Sequence, residues 1–244
     1  MTSPLLLALS IVAMGFIAGV MPFFFRWTHR TAHRWLAFGA GTILGAAFLH
    51  MIPEGYGLAG AASLWAVLLG FMVLFGVEQL SFKHPHREEQ GEFYELGFLT
   101  FLGFTIHDLI DGIALGAGHE VPNLTPAIFT ALVLHKVPTM FSLSLIMLHG
   151  GYKRKTILGF LAIVLFAIPI GTLISHWLIA LLPGYQERTI GRLIFFSAGT
   201  FIYISAYELL PEMQRTSPPG SKVGVFFMLG LGMMFLLLLL HPVG

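Results

Sequence analysis

Eight apolar runs, each about 20 residues long, fill nearly the whole chain and leave only short polar connectors between them. A helix rises about 1.5 Å per residue, so about 20 residues match the hydrocarbon core of a bilayer. Inside that core each backbone polar group must be satisfied within its own helix. The pattern therefore predicts an all-α integral membrane protein with transmembrane helices at roughly 4–25, 34–54, 60–81, 94–117, 125–148, 156–182, 190–211 and 222–241. No stretch reads as a soluble domain, so residues 1–244 are expected to form one transmembrane domain. Only 10% of the residues are charged, against about 25% in a soluble domain. A net charge of +1 offers no basic surface for nucleic acid, and the lack of cysteine excludes disulfides and thiolate metal sites. The first ten residues, MTSPLLLALS, carry no basic segment and their apolar run continues to about Phe25, which reads as a first span rather than a cleaved signal.

The basic residues set the expected orientation. Arg26, Arg30, Arg34, Lys83, Arg87, Lys153, Arg154, Lys155, Arg215 and Lys222 flank the odd-numbered connectors, whereas the even-numbered ones carry only Arg188 and Arg192. By the positive-inside rule the odd connectors face the cytoplasm and both termini lie outside, as expected of a multi-pass protein of the plasma or inner membrane. The chain also echoes itself. Phe38 to Glu54 (FGAGTILGAAFLHMIPE) and Phe196 to Glu212 (FSAGTFIYISAYELLPE) share Phe, Ala, Gly, Thr, Pro and Glu at a constant offset of 158 residues. One copy runs outward and the other inward, the signature of an inverted repeat. In this pairing His50, toward the outer mouth, corresponds to Glu208, toward the inner one.

Ionisable residues at the bilayer centre cost from about 2.5 kcal/mol upward and are functional candidates for that reason. The fourth run contains FTIHDLIDGIALGA and the fifth LVLHKVPTM, which place His107, Asp108, Asp111, His135 and Lys136 near mid-span. Residues four apart share a helix face, so His107 and Asp111 project together with Asp108 about 100° round. Two imidazoles and a carboxylate suit a borderline divalent cation such as zinc and leave a position for exchange. His107, Asp111 and His135 are thus the expected ligands. Asp108 is either a further ligand or the partner of Lys136, whose ammonium needs a carboxylate at that depth. Pro138 and Pro169 are expected to kink the fifth and sixth spans, and Thr139, Ser142, Gly112, Gly116 and Gly118 to serve packing. His84 and His86, with Glu88 and Glu89, make 82–93 a histidine-bearing cytoplasmic loop with at most weak affinity for metal. His29, His33, His119, His149, His176 and His241 lie near span ends and receive no role.

Three motifs together resemble the ZIP metal transporters: H-x-x-x-D-G from His107 to Gly112, H-K-x-P from His135 to Pro138, and F-L-H-M-I-P-E from Phe48 to Glu54. The resemblance covers nearly the whole chain. It implies a three-plus-two-plus-three bundle with spans 1–3 and 6–8 related by an inverted repeat. It also implies transport of Zn2+, or of Fe2+, Mn2+ or Cd2+, into the cytoplasm by alternating access, and a possible homodimer. The metal site would comprise His107, Asp111 and His135, with Asp108 where some members ligate a second metal, and with His50 and Glu208 on the pathway. Lys136, Thr139 and Ile168 depart from the two-metal pattern, because Lys136 would repel a second cation; a single-metal site is expected, as in the branch that also carries His-Lys in the fifth span. The competing readings are an integral-membrane zinc hydrolase acting on a lipid, which would use a similar His/Asp set to activate water, and a metal sensor. Protonated imidazole does not ligate, so binding is expected to weaken as pH falls through the histidine range, about 6.5.

Overall fold

The computed structural model describes residues 3–81, 89–118, 124–181, 186–217, 219–220 and 222–240. The described residues form eight helical rods. The first, α1 (Pro4–Val20), is capped by Ser3, whose hydroxyl accepts from the Leu6 amide, and tightens into a 3-10 turn at Met21–Phe24. A reciprocal box between Thr28 and Thr31 starts α2 at His29. It runs through His29–Ala46, a π-helical turn at Ala47–Met51 and Ile52–Ala59, and stops at Gly60, whose φ of 69° no helix accommodates. Next come α3 (Trp65–Ser81), α4 (Glu89–Ala117), α5 (Leu124–His149) and α6 (Arg154–Leu181). The seventh rod, α7, joins Gln186–Ile202, a π-helical stretch at Tyr203–Leu209 and Leu210–Thr216, and α8 is Val223–Leu240. Seven rods are long and apolar enough to span a bilayer, and α8 is a shorter apolar helix of 18 residues. The chain is an all-helical integral membrane bundle.

Several expected connectors are helical. The segment 54–59 continues α2, His29 and Gln186 begin helices ahead of their apolar runs, and α4 starts at Glu89, inside the expected loop 82–93. Hydropathy marks where lipid ends, whereas a helix ends only where its caps and dihedrals stop it, so helices overrun their apolar cores. His84 and His86 lie outside the described residues. Pro138 and Pro169 sit within α5 and α6, and both helices continue through them.

The helix pairing carries the inverted symmetry. Exchanging α1 with α6, α2 with α7, α3 with α8 and α4 with α5 turns the α2–α8 contact into α7–α3, and the α1–α5 contact into α6–α4; all four pairs are packed in the structure. The π-helical turn at Ala47–Met51, moved by the 158-residue offset, falls within Tyr203–Leu209. The glycines agree to the atom. A Cβ on Gly41 would lie 2.1 Å from the Phe227 carbonyl oxygen of α8, and one on Gly230 would lie 2.1 Å from that of Phe38. In the other half a Cβ on Gly199 would lie 1.9 Å from the Val67 oxygen of α3, and one on Gly70 would lie 1.9 Å from that of Phe196, the counterpart of Phe38. In lipid, where no hydrophobic effect drives helices together, this backbone-to-backbone approach supplies the contact.

Gly199→Ala must therefore push α7 off α3, at about 2 kcal/mol or more. Gly76→Ala, on the same α3 but with nothing within 4 Å of its added carbon, is the control. Thermal unfolding of the purified protein in detergent should show a clear drop in Tm for the first and little change for the second; equal effects would show that the close approach does not hold the halves together.

Candidate metal centre

Three ligand atoms from α4 and α5 meet at mid-bundle. His107 and Asp111, one turn apart on α4, bring Nε2 and Oδ2 to 3.1 Å. His135 of α5 brings its Nε2 to 3.3 Å from the same Asp111 oxygen and 3.3 Å from His107 Nε2. The atoms thus form a nearly equilateral triangle. A tetrahedral ion with bonds of about 2.0–2.1 Å holds its ligand atoms about 3.3 Å apart. The triangle has the dimensions of one face of such a tetrahedron, with the fourth vertex left for water or another group.

The ring orientation of His107 is set from behind. Its Nδ1 lies 2.6 Å from the Ser197 hydroxyl of α7. With Nδ1–H donating to that oxygen, Nε2 presents its lone pair to the triangle, the arrangement by which a second partner fixes a metal-binding tautomer. Beside the triangle Lys136, with no solvent exposure, donates from Nζ to Oδ1 of the equally buried Asp108 and stands 3.6 Å from Asp111 Oδ2. Asp108 therefore faces the ammonium rather than completing the triangle, and its Oδ2 is buried without a hydrogen-bond partner. The Thr139 hydroxyl donates to the His135 and Lys136 carbonyls, and the Ser142 hydroxyl fills the space over Gly39; both serve packing. Behind α4, Gly112 and Gly171 let α4 and α6 touch through their backbones, added carbons there meeting the Ile168 and Leu109 oxygens at 2.0 and 2.2 Å.

A cavity of about 40 Å3 leads from the triangle along α2, lined by His107, Asp111 and His135 and by His50 and Glu54. His50 reaches the Met234 carbonyl of α8 through Nε2 at 3.3 Å. In the opposite direction Phe104 and Phe201, both without solvent exposure, close the way, with the Phe201 ring 4.1 Å from that of His107. Beyond them the Tyr203 hydroxyl donates to Glu78 of α3, and Glu208 Oε1 lies 3.0 Å from the same hydroxyl oxygen.

The family model described as "ZIP Zinc transporter" matches residues 2–95 and 83–239, nearly the entire chain. The chain belongs to the ZIP zinc transporter family. Among curated relatives it is similar to zinc transporter ZIP9-B of Xenopus laevis, at 24% identity over 260 residues covering 87% of this chain and 85% of that protein. It is also similar to zinc transporter ZIP13 of Pongo abelii, at 26% identity over 83% of this chain and 65% of that protein, and to zinc transporter YKE4 of Saccharomyces cerevisiae, at 25% over 82% and 66%. Metal-ion transport across a membrane is thus the function, and the chain is a transporter rather than an enzyme; the lipid hydrolase has no support.

As a ZIP protein, the chain has two polar groups at the site, Ser197 and Glu54, and one beside Glu208, Glu78, that sequence reasoning passed over. Ser197 sits in the F-S-A-G-T run and reads there as one more small packing residue. Glu54 belongs to the second-span motif but received no role, and Glu78 stands alone in an apolar run where nothing links it to Glu208.

Lys136 and Asp108 form a buried pair whose halves depend on each other. Lys136→Met alone should cost about 3–5 kcal/mol by leaving a buried carboxylate uncompensated. Lys136→Met combined with Asp108→Asn should recover most of that loss in a denaturation series, whereas an additive double variant would show the pair to be uncoupled.

Proposed function

We propose that this ZIP protein carries zinc into the cytoplasm by alternating access through a single-ion site made by His107, Asp111 and His135. The 3.1–3.3 Å triangle of two imidazole nitrogens and a carboxylate oxygen carries this reading, because it fits a tetrahedral borderline cation. Iron, manganese or cadmium would meet the same donors, but the two imidazoles favour zinc over manganese, whose preferred ligands are oxygens. Asp108 neutralises Lys136 and keeps a fixed cation beside the ion, and that cation bars a second metal.

The ion enters past His50 and Glu54, exchanges its waters for the triangle, and leaves past Glu208. Two features support this path. The cavity joins the triangle to His50 and Glu54 on the side of the even-numbered connectors, outside by the charge pattern, while Phe104 and Phe201 close the side leading to Glu208. The inverted pairing, which exchanges α2–α8 with α7–α3 and α1–α5 with α6–α4, gives a shift of the first two pairs against the last two a pair of equivalent end states, one open to each side.

Radioactive zinc uptake into proteoliposomes, wild type beside His107→Ala and Asp111→Ala, is the direct test. The expected result is saturable uptake in the wild type, reduced at least tenfold in both variants. Zinc bound without flux would overturn transport of this ion, and flux retained in both variants would remove the triangle from the path.

A further inference from the structure

A second group of metal-ligating side chains stands well apart from the triangle. His29 and His33, one turn apart at the start of α2, meet His149, the last residue of α5, with ligand nitrogens within 4.8 Å of one another. Fourteen residues of α5 separate His149 from His135, which places this cluster roughly 21 Å along the helix from the midplane. It lies at the end bearing the odd-numbered connectors.

The local fold brings the three rings together. The Thr28–Thr31 capping box fixes the first turn of α2 and brings the His29 and His33 rings to 4.2 Å between centroids, with their planes tilted by 33°. At the other helix end Gly150 lets the chain lie on the Phe93 backbone, where an added Cβ would be 2.6 Å from that carbonyl oxygen, and Gly151 turns with φ of 79°. His149 is thereby held against Phe93, with its ring 5.1 Å from that of His33 and 5.4 Å from that of His29. His33 is fully buried and its Nδ1 lies 2.8 Å from the His29 carbonyl oxygen. A carbonyl can only accept, so Nδ1 carries the proton and, in the neutral ring, Nε2 carries the lone pair, as in a histidine positioned for metal. A cavity of about 420 Å3 opens over His29 and His149.

We infer that His29, His33 and His149 form a second metal site, which takes one borderline divalent ion of the zinc class on three imidazoles and ties the start of α2 to the end of α5. Neutral nitrogen donors select zinc, cobalt, nickel or copper over magnesium and calcium, which demand oxygen. Closing the triangle from 4.8 Å to about 3.3 Å requires ring rotations that the exposed His29 and the half-buried His149 can make. Of the nearby cations, Arg154 lines the same cavity with its guanidinium over the Phe23 ring at 5.7 Å, and the Arg34 guanidinium lies over Phe226 at 5.7 Å. The cavity leaves room for water or an anion at the fourth position. The site stands on these three residues and needs neither the transport direction nor the midplane ligands.

Zinc stoichiometry on purified, tag-free protein tests it, in a background of His84→Ala and His86→Ala that silences the loop histidines. The expected result is two zinc equivalents per chain, falling to one in His29→Ala and, separately, to one in Asp111→Ala. His29→Cys, which swaps one zinc ligand for another, should restore the lost equivalent and separates ligation from damage to the fold. Copper added to the Asp111→Ala protein should give a nitrogen-ligated electron paramagnetic resonance spectrum that His149→Ala abolishes. Two equivalents retained in His29→Ala, or a copper spectrum unchanged by His149→Ala, would overturn the second site; failure of Asp111→Ala alone to lose an equivalent would count only against the midplane one.

Discussion

Keeping Lys136 charged in the middle of a membrane bundle is the constraint to which the central helices answer. An ammonium with no solvent exposure needs a carboxylate against it, and Asp108 is placed on α4 to supply one. Asp108 in turn fixes the rotation of α4 about its axis, because the side chain three positions on, Asp111, must then face α5 and His135. His107 follows one turn below on the same face, held from behind by Ser197. The metal triangle and the buried ion pair are therefore one assembly. Neither helix can turn to improve one part without spoiling the other.

That assembly requires α4 and α5 to be gripped without filling the space between them. The bundle does this by placing glycine where helices cross. Gly112 and Gly171 press α6 onto the back of α4, while Gly41 with Gly230 and Gly199 with Gly70 join each outer pair backbone to backbone. Contacts of this kind have little room to deform, and the two between outer helices cross from one triplet to the other, so α2 moves with α8 and α3 with α7. The freedom left to the molecule lies between these packed pairs and the helices around them. The π-helical turns at Ala47–Met51 and Tyr203–Leu209 are the irregular places in α2 and α7, and they fall where those helices pass His50 and Glu208. A π turn re-aims the side chains around it, so the same irregularity in both repeats sets the direction of His50 in one and of Glu208 in the other.

Much of this was legible because lipid makes polar residues conspicuous. His107, Asp111 and His135 stand out from an apolar run, and their spacing gives the shared face before any coordinates exist. The repeat was legible in F-x-A-G-T for the same reason that it matters: its glycine touches backbone, and no larger residue fits. What stayed hidden depended on contacts across the chain. Ser197 is indistinguishable from the small residues that line any membrane helix until it is seen 2.6 Å from His107. Tyr203 reaches Glu78 across 125 residues and brings it beside Glu208. His29 and His33 carried the same one-turn spacing as His107 and Asp111, but at a span end such spacing is ordinary, and only the fold brings in His149. Helix ends were misplaced because charge marks the membrane surface and not the last hydrogen bond of a helix.

The charges at the centre also support the proposal of a single ion. Lys136 against Asp108 and Asp111 leaves a single negative charge next to the two imidazoles. A divalent ion entering there turns that into a single positive charge, still unfavourable in a medium that solvates charge poorly. Glu54 lies on the same cavity as the triangle and is the carboxylate placed to balance it. A second divalent ion would add two more positive charges beside the Lys136 ammonium, with no further carboxylate on that cavity among the described residues. The Lys136 ammonium holds Asp108 and Asp111 in one geometry, so an ion taken up as proposed would meet donors already in place.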